Sequence, residues 1–172
     1  PELAFAEVET AKKLAKELRE LGFEVTEGIG KTGVVGLLRN GAGPTVMVRT
    51  ELDALPMEEK TGLPFASKAK TTYLGKETAV AHSCGHDLHM AAWAGTARTL
   101  AALKSQWAGT LMFVAQPAEE TTSGAKAMLE AGLFKRFGKP DAVFALHTWP
   151  IEHGVVGTNV GPITSNSDAV EI

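Results

Sequence analysis

Between residues 2 and 21, Leu3, Val8, Ala11, Leu14, Leu18 and Leu21 recur at helical spacing, and Lys12, Lys13, Lys16, Glu17 and Arg19 fill the remaining positions. That period predicts an amphipathic helix lying on a core, with Gly22 placed to stop it. Phe23-Glu24-Val25-Thr26 then alternates as a strand does, and Gly33 to Leu38 forms a second short strand. Asn40-Gly41-Ala42-Gly43-Pro44 is a turn cluster. Thr45 to Arg49 reads as a buried strand running into Glu51-Leu52-Asp53. No period organises the stretch from Pro56 to about Lys76, where Pro, Gly, Lys and Thr are scattered. It reads as a long surface loop, which in a compact domain is often functional.

In the second half, Met90 to Trp107 is rich in Ala and Leu and predicts a helix. Its small residues Ala91, Ala92, Ala94 and Gly95 allow close packing on a sheet. Thr110 to Ala115 and Asp141 to Leu146 are continuous apolar runs, the pattern of strands buried on both faces. Ser123 to Ala131 predicts a helix, with Ser123 at the N-cap and Gly132 at the C-cap. Strands alternating with helices predict an α/β sandwich: a largely parallel mixed sheet flanked by helices. Ala169 to Ile172 reads as the start of another strand, and the chain opens on Pro1 rather than Met, so both ends read as cuts.

Composition narrows the function classes. A chain of 172 residues that is 44% hydrophobic suits one domain, or little more, with a proper core. The net charge is −3 with mixed signs. There is no basic stripe for nucleic acid and no polybasic run for anionic lipid. The longest apolar stretches are strand-length, too short for a membrane span. The single cysteine rules out an internal disulfide and leaves the compartment open. The cytoplasm is the default expectation, and the alternative of a signal peptide ahead of Pro1 stays open.

The chemistry concentrates in His82-Ser83-Cys84-Gly85-His86-Asp87-Leu88-His89, which holds the only cysteine and three of the five histidines. Soft and borderline ligands gathered this tightly are what a transition-metal site needs. Cys84 and His86, two apart on a looped backbone, can face the same side and share a metal or a metal pair. His89 stands where the helix begins and is open to three roles: ligand, support for a ligand, or packed histidine. Gln116-Pro117-Ala118-Glu119-Glu120 ends a buried strand with adjacent acids. One could bind metal while the other serves as a general base, a role typically worth about 10² to 10⁴ in rate. His147 follows the last predicted strand, and His153 reads as surface. Because ligands in such sheets collect beyond the carboxyl ends of strands, Glu51, Asp53, Glu119, Glu120 and His147 are expected to converge.

Four segments, in order, resemble the binuclear metallo-amidohydrolases of the aminoacylase/carboxypeptidase type. They are Arg49 to Pro56, His82 to His89, Gln116 to Glu120 and His147 to Pro150. The nearest subgroup resembles the N-acyl-amino-acid hydrolases, which include hippurate and indole-acetyl-amino-acid hydrolases. Pro1-Glu2-Leu3 resembles that subgroup's N-terminal helix. Gly161 to Thr164 and on to Ser167-Asp168 resembles the entry to its lid and dimerisation domain.

The resemblance implies a binuclear metallopeptidase (phosphorylase/hydrolase-like) fold. Residues 1–164 would form the N-terminal part of the catalytic domain, and 165–172 the start of the second domain. It implies Cys84, His86, Glu120 and His147 as metal ligands, Glu119 as general acid/base and Asp53 as a supporting carboxylate. The cofactor would be two divalent ions, manganese or zinc, with nickel and cobalt also seen. The substrate would be a small N-acyl or N-aroyl amino acid or peptide, cleaved by a homodimer. Glu51 stands where the subgroup usually has Asp. The family's last histidine ligand and the lid residues that grip the substrate carboxylate lie beyond Ile172. Two rivals remain: a hydrolase with Cys84 as nucleophile, and a catalytically incomplete metal-binding fragment.

Overall fold

The computed structural model describes residues 1–163. The second-domain segment 165–172 and the strand expected at Ala169 to Ile172 therefore lie outside the described residues. The chain forms α1 (Val8–Glu20), β1 (Glu24–Ile29), β2 (Gly33–Asn40) and β3 (Thr45–Glu51). It continues through β4 (Lys70–Tyr73), β5 (Lys76–Ala79), α2 (His86–Ala102), β6 (Gly109–Gln116), α3 (Gly124–Glu130), α4 (Leu133–Phe137) and β7 (Ala142–Ala145). The main sheet has the order β1-β2-β6-β3-β7. β2 pairs antiparallel with both neighbours, while β6, β3 and β7 pair in parallel. Four strands thus point one way and β2 alone runs against them, which makes the sheet mixed and mostly parallel.

The alternation of side chains along the strands builds two cores. Val34, Leu38, Leu111, Phe113 and Ala115 face α1 and α2, meeting Leu14, Leu18, Met90 and Trp93. Val35, Leu37, Met112 and Val114 face the other way, onto Met128 of α3 and Leu133 of α4. Phe113 is fully buried and takes Phe23 and Trp93 edge-on, with centroids 5.3 and 5.1 Å away. The Trp93 indole donates to the Val48 carbonyl at 3.0 Å and so ties α2 to β3. Among the described residues no helix is long and apolar enough to cross a membrane.

Four features differ from the sequence-based expectations. α1 begins at Val8 rather than near residue 2, because residues 1–7 fold back over its first turn. Glu2 there accepts the backbone N–H groups of Glu9 and Thr10 at 3.1 and 2.8 Å, capping a helix whose own N-cap side chain makes no such bond. α2 begins at His86, four residues early, and ends at Ala102, followed by a 3₁₀ turn over Lys104–Gln106. Within the stretch read as a loop, β4 and β5 form an exposed hairpin turning at Leu74-Gly75. Finally, β7 is not buried: Val143 and Phe144 are 54% and 62% exposed. It is the last strand of the sheet, with β3 on one side only, and all four of its residues are exposed.

Candidate metal centre

Three parallel strands, β3, β6 and β7, deliver their carboxyl ends to one place, and α2 starts there. β3 ends in Glu51 and runs on to Asp53, β6 leads to Glu119 and Glu120, and β7 leads to His147. The turn before α2 brings Cys84 and His86. Gly85 is required in that turn, because it sits at φ +81° and a Cβ there would lie 2.6 Å from the Thr148 hydroxyl. All seven of these residues expected at the site come together.

Cys84 Sγ lies 3.4 Å from His147 Nε2. His86 Nε2 lies 3.5 Å from Glu119 and 3.8 Å from Glu120. Three overlapping groups have potential ligand atoms within 4.8 Å of one another: Cys84-His86-His147, His86-Glu119-Glu120 and Glu51-His86-His89. His86, fully buried, belongs to all three. The exposed His153 belongs to none.

Asp53 organises the centre. His86 Nδ1 donates to the Asp53 carbonyl at 2.8 Å, which leaves Nε2 as the ring atom facing the two glutamates. The Asp53 carboxylate accepts the Glu120 backbone N–H at 2.9 Å, fixing that turn against the end of β3. Burial alone would raise the Asp53 carboxyl, but His86 Nδ1 beside the carboxylate and the backbone N–H groups of Glu120 and Glu119 outweigh it and hold it below its ordinary value.

The other groups show a centre short of positive charge. Burial, then the Glu120 and Glu119 charges, push the Cys84 thiol up to about 12. Burial also raises the Glu120 carboxyl, against the pull of His86. Burial lowers His86, yet hydrogen bonds to Asp53 and the Glu51 charge more than reverse that, so it too binds its proton more tightly than usual. Within this structure, His86 Nε2 and Glu120 Oε1 are buried without a hydrogen-bond partner. Buried donors and acceptors in folded proteins are nearly always satisfied, by protein, by water or by a bound ion. Soft sulfur, imidazole and carboxylate atoms converging on such unpartnered atoms fit divalent transition-metal ions.

His89 resolves into one of the roles left open to it. Its Nδ1 donates to Glu51 at 2.9 Å, and its Nε2 accepts the Thr148 backbone N–H at 2.8 Å. Both ring nitrogens are engaged, so His89 braces the segment that carries His147. Glu51, one methylene longer than the usual Asp, spans this gap and pairs with Arg49. Arg49 in turn holds the Gln116 amide oxygen at 2.7 and 3.0 Å. The roles of Arg49, Gln116 and Thr148 carried no signal in the sequence beyond their places within the motif segments.

Residues 47–171 match peptidase family M20/M25/M40. The chain belongs to this family. It is 39% identical over 175 residues to N-acetylcysteine deacetylase of Bacillus subtilis, covering 100% of this chain and 43% of that protein. It is 46% identical over 151 residues to hippurate hydrolase of Campylobacter jejuni, covering 87% of this chain and 37% of that protein. Among solved structures it resembles the Bacillus subtilis YXEP protein, a dinuclear metal-binding peptidase from the M20 family. The TM-score is 0.75 at 40% identity, over 87% of this chain and 39% of that one. The chain thus spans less than half the length of these M20 relatives.

Proposed function

We propose that this chain contributes the metal-binding half of an amidohydrolase active site. The whole protein would cleave the amide of an N-acyl or N-aroyl amino acid, or of a small peptide. One observation carries the reading: the ligand-type atoms of Cys84, His86, Glu120 and His147 converge where buried His86 Nε2 and Glu120 Oε1 lack partners. These four residues would hold two divalent ions, for which manganese and zinc are the first choices and nickel and cobalt the next. When bound, such ions polarise a carbonyl and lower the pKa of water.

The chain's own residues supply the rest. Asp53 keeps His86 Nε2 aimed at the site, and His89 steadies the backbone at His147. Glu119, with its side chain 37% exposed against 19% for Glu120, is the acid that both touches the centre and meets solvent. It takes a proton from the attacking water and delivers it to the leaving amine nitrogen. The substrate reading leans on the relatives that deacetylate N-acetylcysteine and hydrolyse hippurate. We further propose that residues 1–164 belong to the catalytic domain, that 165–172 open a lid and dimerisation domain, and that the whole protein is a homodimer.

The Cys84–His147 approach of 3.4 Å also favours a second reading, a cysteine nucleophile with a histidine base. Against it, the Cys84 thiol is pushed up by burial and nearby carboxylates, the reverse of an activated cysteine. The test is hydrolysis of hippurate by the protein expressed from its full reading frame. A metalloenzyme loses activity in chelator and regains it with added manganese or zinc. Persistence in chelator, with loss only on thiol alkylation, would establish the cysteine reading instead.

A further inference from the structure

Glu7 is a fully buried carboxylate that the chemistry above does not use. It occupies the N-cap position of α1, yet its side chain does not cap that helix. Its two oxygens reach elsewhere. Oε2 accepts the Thr32 hydroxyl at 2.6 Å, on the turn between β1 and β2. Oε1 accepts the Ala118 backbone N–H at 2.8 Å, 111 residues away in sequence. Ala118 immediately precedes Glu119 and Glu120.

The segment that Glu7 grips is under strain. Ala118 is fully buried at φ +47°, and Thr122 stands at φ +52°. Left-handed backbone is costly for residues with a Cβ, and it persists only where the surroundings over-determine it. Two such residues bracket Glu119, Glu120 and Thr121. The surroundings here can be named. Asp53 holds the Glu120 N–H at 2.9 Å. Ser123 and Gly124 donate their N–H groups to the Ala118 carbonyl at 3.2 and 3.0 Å. Gly124 sits so close that a Cβ there would lie 1.5 Å from the Pro117 carbonyl oxygen. Glu7 is the one partner that approaches Ala118 from the N-terminal segment.

We infer that Glu7 is a positioning residue: it pins the strained Ala118 peptide and thereby sets the direction of the Glu119 carboxylate. The inference rests on the reading of Glu119 as the base. A base acts only within hydrogen-bond reach of the proton it takes, and displacement by about 1 Å can cost about 100-fold in rate. Glu7→Ala frees the Ala118 N–H and lets the turn relax. Glu7→Gln keeps an amide oxygen for Ala118, and its NH₂ can donate to the Thr32 hydroxyl, which turns to accept.

The test uses the metal-loaded protein from its full reading frame. Glu7→Ala should lower kcat by about 10- to 100-fold, with KM and metal content near wild type. Deuterium exchange should quicken in the peptide spanning residues 113–124. Glu7→Gln should restore both rate and protection. In a Glu119→Gln background, Glu7→Ala should cost nothing further, because the group it positions is gone. If Glu7→Ala fails to fold, Glu7→Asp, one methylene too short to span both partners, should still lose kcat at unchanged KM. A wild-type kcat in either folded variant overturns the inference, as does unchanged exchange, or an equal further loss in the Glu119→Gln background. A fully active Glu119→Gln sinks the base reading instead, so the two failures are distinguishable.

Discussion

Asp53→Asn is the sharpest probe of how the centre is held. The native carboxylate accepts the Glu120 N–H at 2.9 Å and approaches His86 Nδ1 at 3.5 Å, with no exposure to solvent. Asparagine has nearly the same shape but only one acceptor oxygen. If that oxygen stays on Glu120, the NH₂ faces His86 Nδ1, whose proton is already committed to the Asp53 carbonyl at 2.8 Å. If the amide flips, the Glu120 N–H faces a donor. Either way a buried donor is left without an acceptor (the new NH₂ in the first case, the Glu120 N–H in the second), and the centre loses one negative charge. A hydrogen bond to a charged group is worth about 1.5–3 kcal/mol. At about 1.4 kcal/mol per tenfold, that predicts a 10- to 100-fold fall in metal affinity. Loss of a partner behind a metal-binding histidine typically costs a similar amount. The assay is a competition titration of manganese or zinc against a chelating indicator, at fixed pH, with melting temperature measured alongside. A folded Asp53→Asn protein with wild-type affinity would refute the role given to Asp53.

Two further predictions concern the scaffold. Glu2→Ala removes the cap on α1 and should destabilise the fold by about 1 kcal/mol, read from denaturant melts. Burial raises the Glu2 carboxyl, but the Thr10 and Glu9 N–H groups outweigh it and leave the folded value lowered. Its stabilisation is therefore fully present above the unfolded value of about 4.3 and is lost as pH falls through the folded value. Glu2→Gln should flatten stability against pH in that window, and an unchanged slope would count against the cap. Gly124→Ala would set a Cβ 1.5 Å from the Pro117 carbonyl oxygen, which neither backbone can avoid without moving the turn. It should cost about 1–3 kcal/mol, as overpacking does, and weaken metal binding with it; a calorimetric melt and metal titration matching wild type would show that the turn is free to move.

Much of this architecture was legible because helical and strand periods differ. The amphipathic stripe of α1 and the apolar runs of β3 and β6 announced themselves, and the chemistry at their carboxyl ends followed. β7 misled because an unbroken apolar run signals burial on both faces, whereas Val143 and Phe144 stand exposed at the end of the sheet. The β4–β5 hairpin escaped notice because its strands are polar and exposed, and leave no alternation to read. The start of α2 is placed late from sequence because His86 to His89 reads as part of the ligand cluster, whereas those residues form the first turn of the helix. At the site, ligand-type residues were recognisable from their chemistry and grouping. Their supports were not: Glu7 sits among helix-forming residues and looks like any solvated glutamate. Its partners at Thr32 and Ala118 are visible only once the chain is folded. His89 was left open for the same reason, since its two partners lie 38 and 59 residues away.

The central claim is that Glu120 holds metal and Glu119 moves the proton. The most direct measurement is metal content and hippurate turnover for Glu119→Gln and Glu120→Gln in the same full-length preparation. Glu119→Gln should retain its metal and lose turnover by about 10²- to 10⁴-fold, because the amide cannot accept the proton. Glu120→Gln should lose metal, because a ligand charge is gone. Loss of metal in Glu119→Gln with retention in Glu120→Gln would contradict the account and exchange the two roles.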